Sequence, residues 1–205
     1  MPKLMYNIPN LLSSYRIAIL PVLTLFFYID GATATWINVV IFFFACVSDG
    51  LDGYIARSTG QTSIYGKFLD ATADKIMIGG VLMLLVAFDR ITGVWIIPAL
   101  IIFIREILVS GLREFLGLYK ISVPISRIGK LKTLAQMFAC GFLMAGDYGP
   151  ALVPHSYAIG LFGLVVATVM TVVSGWDYMK AGIETIRNLD AEASEKAEKK
   201  DVLNT

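Results

Sequence analysis

Apolar residues arrive in this chain in long blocks separated by short polar interruptions, and the blocks are too long for strands. Crossing a bilayer core of about 30 Å takes roughly 20 helical residues. Six segments qualify, approximately Leu11–Ile29, Ala32–Arg57, Ile64–Phe88, Thr92–Leu116, Ile125–Ala145 and Tyr157–Ile183. Turn-forming or helix-breaking residues punctuate them: Asp30-Gly31, Ser58-Thr59-Gly60, Asp89-Arg90, Ser122-Val123-Pro124 and Asp147-Tyr148-Gly149-Pro150. The pattern predicts an all-α integral membrane protein with six transmembrane helices. The stretch before Arg16, which contains Pro9 and polar residues, also suits a short helix lying along the membrane surface. Residues 1–189 form the expected membrane domain. From Asp190 to Thr205 the chain turns to mixed Glu, Lys and Ala, expected as a frayed, solvated helix or a disordered tail. No internal repeat is evident.

Composition sharpens this picture. Of the 205 residues 57% are hydrophobic and only 16% charged, against about 25% charged in an ordinary soluble domain. A soluble globular class is thereby excluded. The formal net charge of +1 says little, because the information lies in how charge is distributed. Six crossings put both termini on one side. That side receives Lys3, Arg57, Lys67, Lys120, Arg127, Lys130, Lys132, Arg187, Lys196, Lys199 and Lys200, whereas the opposite turns contain Arg90 with Asp30, Asp89 and Asp147. The asymmetry predicts that the basic side and both termini are cytoplasmic. No basic leader with a small-residue cleavage site precedes the first apolar run. Cys46 and Cys140 sit in apolar runs and read as small buried hydrophobes, and His155 as a surface turn residue beside Pro154.

The chemistry lies where the apolar rule is broken. Segment two ends Ser48-Asp49-Gly50-Leu51-Asp52-Gly53-Tyr54-Ile55-Ala56-Arg57, and segment three opens Gly66-Lys67-Phe68-Leu69-Asp70-Ala71-Thr72-Ala73-Asp74-Lys75. At helical spacing Asp49, Asp52, Gly53 and Ala56 share one face, and Gly66, Asp70 and Asp74 another. A short turn between the segments makes them antiparallel neighbours, so the two carboxylate pairs are expected to meet near the cytoplasmic surface. Ionisable groups in a membrane helix are expensive and commonly mark a functional path. Four converging carboxylates must be neutralised, by protonation or by a bound cation. Oxygen-only ligation suits Mg²⁺, Mn²⁺ or Ca²⁺ and argues against zinc. Paired divalent ions are familiar in phosphoryl chemistry. Small residues at Gly53, Ala56 and Gly66 leave room for a bulky ligand, although close helix–helix packing accounts for such residues equally well.

These residues resemble the CDP-alcohol phosphotransferase motif D-x2-D-G-x2-A-R-x8-G-x3-D-x3-D, and each fixed position is matched: Asp49, Asp52, Gly53, Ala56, Arg57, Gly66, Asp70 and Asp74. The resemblance implies a six-helix membrane enzyme, usually a homodimer, whose site opens to the cytoplasm, here the inner or plasma membrane of a bacterium. It implies that Asp49, Asp52, Asp70 and Asp74 hold two divalent cations, Mg²⁺ or Mn²⁺. It further implies that Asp74 is the general base, and that Asp52, Gly53, Ala56, Arg57 and Gly66 line a pocket for the CDP moiety. Asn10 joins that pocket by analogy, and capping of the first helix explains it as well.

The motif does not choose the acceptor alcohol. Arg105-Glu106 and Arg113-Glu114 fall eight residues apart on one face of segment four, and Arg127, Lys130, Lys132 and Thr133 follow at the start of segment five. Arg105, Arg113, Lys130 and Lys132 thus gather cations suited to an acceptor that bears a phosphate. Loop cations alone read as positive-inside charge, which leaves Arg105, inside an apolar stretch, unexplained. Segments outside the motif are similar to the family's phosphatidylglycerophosphate-forming branch. They are Asn7 to Leu12 followed by Arg16, Arg105 to Glu114, and Ile128 to Thr133 with Gln136. That similarity implies CDP-diacylglycerol as donor, sn-glycerol 3-phosphate as acceptor, and phosphatidylglycerol phosphate with CMP as products.

Within the same family the acceptor alternatives are inositol phosphate, serine and phosphatidylglycerol, and serine leaves the basic cluster without a ligand. A cation or proton-coupled transporter is the rival from another class. Against it, the acids cluster at one membrane face, and no inverted repeat or broken helix pair appears. Nothing points to nucleic acid.

Overall fold

The computed structural model describes residues 8–59, 64–119, 121 and 127–203; within the helices, the side chains at 8, 9, 49, 51–59, 64, 67, 127 and 130 and most of those beyond 189 are not described. Six helices follow one another: α1 (Ile8–Phe27), α2 (Ala32–Thr59), α3 (Ile64–Ala87), α4 (Ile96–Leu118), α5 (Arg127–Ala145) and α6 (Ser156–Leu203). Short 3₁₀ turns at Gly93–Trp95 and Gly146–Ala151 lead into α4 and follow α5. The described residues contain no strand, and the chain is an all-helical integral membrane protein.

Stretches long and apolar enough to span a membrane run over Asn10–Phe27, Gly93–Leu118 and Ser156–Leu189, with a shorter apolar helix over Ala32–Ser48. α3 and α5 fall short of that measure because both carry polar and charged residues, among them Asp70, Asp74 and Lys132. These helices hold the candidate chemistry. From Ile8 onward the stretch before Arg16 is part of α1, and Pro9 lies in its first turn, where a missing N–H costs nothing. α6 runs on through the polar tail to Leu203. That tail lacks Gly and Pro and is rich in Ala, Glu and Lys, all strong helix formers.

One core joins all six helices, with Leu23, Phe42, Val81, Ile102, Leu143 and Leu164 each contributing from a different helix. α1 packs against both α2 and α3, and α6 against α4 and α5. Among the described residues, α2 packs chiefly on α1 and α5, and α3 on α1, α4 and α5; the end of α2, where the two carboxylate pairs are expected to meet, lies outside the described side chains. Adjacent glycines in α3 permit this arrangement. A Cβ on Gly80 would collide with Leu20 of α1, and one on Gly79 would lie 2.8 Å from Phe103 of α4. G80A is therefore expected to lower stability by roughly 1–3 kcal/mol through overpacking. The unfolding midpoint in detergent measures it, and an unchanged midpoint would show that α1 adjusts freely.

Among the described residues, the turns expected at Asp30-Gly31 and Asp89-Arg90 are present, and Asp147 to Pro150 lie in a 3₁₀ turn, whereas Ser58 and Thr59 still belong to α2. Gly31 has φ 122, in the region that favours glycine, and Asp89 has φ 57. Arg90 from the α3–α4 turn pairs at 3.3 Å with Asp147 from the α5–α6 turn, as an up-and-down bundle requires of turns at one end. His155 is exposed in the turn before α6. Cys140 is buried and Cys46 partly so, as expected of packing thiols.

Candidate active site

Asp70 and Asp74 lie one turn apart near the start of α3, on the shared face that their spacing predicts. Each already has a cationic neighbour. Arg16 of α1, only 1% exposed, donates from Nη2 to Asp70 Oδ1 at 2.7 Å. Lys75 donates from Nζ to Asp74 Oδ2 at 2.6 Å. Protonation and a bound cation were the two remedies anticipated for the carboxylates, and side-chain cations provide a third for these two. Gly66 is half-buried one turn before Asp70. Asp49, Asp52, Gly53, Ala56 and Arg57 belong to the continuous helix α2, but their side chains lie outside the described residues, as does that of Lys130.

Asn10 is 2% exposed and sits inside the first turn of α1, which begins at Ile8. Capping therefore does not account for it, since the cap residue precedes the helix.

A polar cavity of about 510 Å³ opens beside Asp74, and its lining includes Lys75, Arg105, Glu106, Arg113, Lys132, Ser174 and Tyr178. Three of the four cations expected at an acceptor phosphate thus share one cavity with the expected base. Arg105 and Arg113, two turns apart on α4, both face it. Arg113 lies 5.7 Å over the ring of Tyr178, a cation–π contact. Arg105 donates to Ser174 Oγ at 3.1 Å. Gly175 lets that side chain lie flat on α6, because a Cβ there would come within 2.8 Å of Arg105 Nε.

Glu106 is the centre of the cluster. It is 5% exposed, and Lys132, itself buried, donates to Glu106 Oε1. Gln136 Nε2 donates to the same oxygen at 3.3 Å, and Arg105 Nη1 does so at 3.4 Å. Lys75 Nζ lies 3.6 Å from Oε2. Gln136 also donates to Thr171 Oγ1 at 3.1 Å, which carries the network into α6.

A second cavity, an apolar groove of about 530 Å³, runs between α2 and α5 past Trp36, Phe43, Val47, Phe138 and Phe142. It shares Cys46, Gly50, Leu134 and Met137 with the polar cavity. A charged chamber and an apolar groove are therefore adjacent, an arrangement suited to a ligand with a phosphate-bearing head and hydrocarbon chains.

Among the described residues no three His, Cys, Asp or Glu side chains gather as metal ligands. Of the four expected aspartate ligands, the side chains of Asp70 and Asp74 are described. Both offer oxygen only and stay partly open to solvent, with side chains 54% and 35% exposed. That donor chemistry fits a hard divalent cation such as Mg²⁺ or Mn²⁺.

Sequence reasoning assigned no role to Arg16, Lys75, Glu106 or Gln136. Arg16 and Gln136 had appeared only as points of family similarity, and Glu106 only as the acid beside Arg105. The available signal was their polarity inside apolar segments, which flags a residue without naming its partner.

The profile of the CDP-alcohol phosphatidyltransferase family matches residues 6–174. A protein of Rickettsia typhi named CDP-diacylglycerol–glycerol-3-phosphate 3-phosphatidyltransferase is 42% identical over 177 residues, which cover 86% of this chain and 97% of its own. A Pectobacterium atrosepticum protein of the same name is 38% identical, covering 86% of this chain and 94% of its own. One from Salmonella choleraesuis is 36% identical with the same coverage.

Proposed function

The chain belongs to the CDP-alcohol phosphatidyltransferase family, and we propose that it transfers a phosphatidyl group from CDP-diacylglycerol to sn-glycerol 3-phosphate, giving phosphatidylglycerol phosphate and CMP. The observation that carries this reading is the cavity lined by Asp74 together with Arg105, Arg113 and Lys132, next to an apolar groove. A transferase acting on these substrates needs a base, a phosphate-binding cluster and a channel for acyl chains, all within reach of one another.

In the proposed reaction Arg105, Arg113, Lys130 and Lys132 hold the acceptor's phosphate, and the groove between α2 and α5 takes the donor's acyl chains. Asp74 accepts the proton of the acceptor hydroxyl as its oxygen attacks the lipid-bearing phosphorus. The new P–O bond replaces the bond to the bridging pyrophosphate oxygen, which leaves with CMP. Asp52, Gly53, Ala56, Arg57 and Gly66, with Asn10, line the CDP pocket. Two divalent cations, Mg²⁺ or Mn²⁺, held by Asp49, Asp52, Asp70 and Asp74 would neutralise the diphosphate and stabilise the departing phosphate. Residues 1–189 form the catalytic domain and 190–205 a polar extension. The family resemblance supports a homodimer, and the distribution of basic residues supports a site and termini on the cytoplasmic side.

The direct test is CMP release by the purified protein in detergent, given CDP-diacylglycerol and Mg²⁺, with glycerol 3-phosphate, inositol phosphate or serine supplied separately. Release is expected with glycerol 3-phosphate. Release with serine alone would remove the phosphate-binding role of the basic cluster, and release with inositol phosphate alone would reassign it to a larger acceptor.

A further inference from the structure

We propose that Glu106 is a positioning residue for the acceptor: its buried carboxylate fixes the separations of Lys75, Arg105 and Lys132, so that they present one anion-binding surface beside Asp74. The inference rests on the phosphate-bearing acceptor assigned above.

A carboxylate inside a membrane-spanning bundle is costly unless paired, and one well-placed cation meets that need. Glu106 has three, drawn from three helices: Lys75 of α3, Arg105 of α4 and Lys132 of α5. That surplus is more than a structural ion pair requires. Among the described lining residues, Lys75, Arg105, Arg113 and Lys132 face only Asp74 and Glu106. The excess of two positive charges matches a phosphate monoester dianion.

Cations this close repel one another, and lysine stems are long enough to swing apart. Glu106 opposes that. Oε1 collects Lys132, Arg105 and Gln136, while Oε2 faces Lys75. The outer ends are fixed as well, with Arg105 tied to Ser174 and Gln136 to Thr171. Lys75 in turn holds Asp74. The phosphate-reading cations and the expected base are thus parts of one network with Glu106 at its centre. Binding of the acceptor's phosphate and placement of its hydroxyl against Asp74 are consequently linked.

A structural staple and a positioning residue differ in kinetics. The experiment uses the full chain in detergent micelles with CDP-diacylglycerol, Mg²⁺ and glycerol 3-phosphate. Wild-type CMP release with glycerol 3-phosphate tests the acceptor assignment by itself. E106Q keeps the shape and one acceptor oxygen but drops the charge. It is expected to raise the glycerol 3-phosphate KM at least about tenfold while moving the donor KM less than about twofold, because only acceptor binding is lost. Its unfolding midpoint should fall, because buried Lys132 loses its carboxylate partner, and E106D should recover part of both the midpoint and the acceptor KM. An unchanged acceptor KM in E106Q overturns the proposal. So does a matched rise in both KM values, which is the signature of a staple. Should E106Q not fold, E106D decides: a raised acceptor KM alone supports the proposal, and an unchanged KM or an unfolded protein overturns it.

Discussion

Replacing Asp74 by Asn is expected to reduce CMP release by about a thousandfold or more, while the protein stays folded in detergent. Asn preserves the size of the side chain and removes its charge and proton affinity. General-base contributions run to about 10²–10⁴, and loss of a carboxylate ligand adds to that where a cation is held. The fold should tolerate the change. Asp74 is partly exposed, and Lys75 keeps a second acidic neighbour in Glu106 at 3.6 Å. The measurement pairs CMP release with the unfolding midpoint of the same preparation. Turnover within about tenfold of wild type would remove Asp74 from both its roles, since neither survives without the charge. A collapsed midpoint would instead assign it to the architecture.

The sequence made the reacting end legible because the motif is local. Asp70 and Asp74 share a helical face by arithmetic alone, and so do Arg105 and Arg113 on α4. Six crossings followed from block lengths, and the pairing of Arg90 with Asp147 agrees with the up-and-down order deduced from them. What pattern reasoning could not supply was partnership across helices. A short connection makes α2 and α3 antiparallel, and it does not reveal that α1 packs against both. Connection length constrains direction more tightly than packing, and the adjacent glycines at 79 and 80 open α3 to α1 on one side and α4 on the other. Asn10 shows the same limit at small scale. Its type suits a cap, but the helix begins two positions earlier and buries it.

Lys132 was anticipated as a phosphate ligand, and the structure gives it a buried acidic partner as well. These roles are compatible. A lysine left alone in a membrane-spanning chamber would be costly, and a flexible one would have to be ordered on each binding event. Pairing with Glu106 would order it beforehand, so that in the proposed reaction the acceptor meets a preformed surface. Nothing in residues 128–136 taken alone indicates the partner, because it lies on the preceding helix.

Arg16 offers the second large effect, and one of a different kinetic kind. R16A is expected to lower kcat by about a hundredfold, the scale associated with misplacing a catalytic group by about 1 Å. Arg16 is 1% exposed, reaches Asp70 at 2.7 Å, and borders a small void shared with Asp74, Cys46 and Met77. Its loss frees the Asp70 carboxylate and leaves unfilled space between α1 and α3. Breaking a fully buried ion pair costs about 3–5 kcal/mol. Asp70 is more than half exposed, however, so solvent screening should reduce that loss to about 1–2 kcal/mol. The acceptor KM should move little, because Arg16 does not line the cavity that holds the basic cluster. R16K separates charge from shape. If a positive charge near Asp70 suffices, lysine restores most of the turnover. If the planar fork is needed to hold one carboxylate oxygen in place, R16K falls nearly as far as R16A. The two carboxylate–cation systems are thus expected to divide the kinetics, with Arg16 and Asp70 acting on turnover and Glu106 with its three cations on acceptor capture. A rise in acceptor KM in R16A as large as that in E106Q would show instead that the site responds as one indivisible unit.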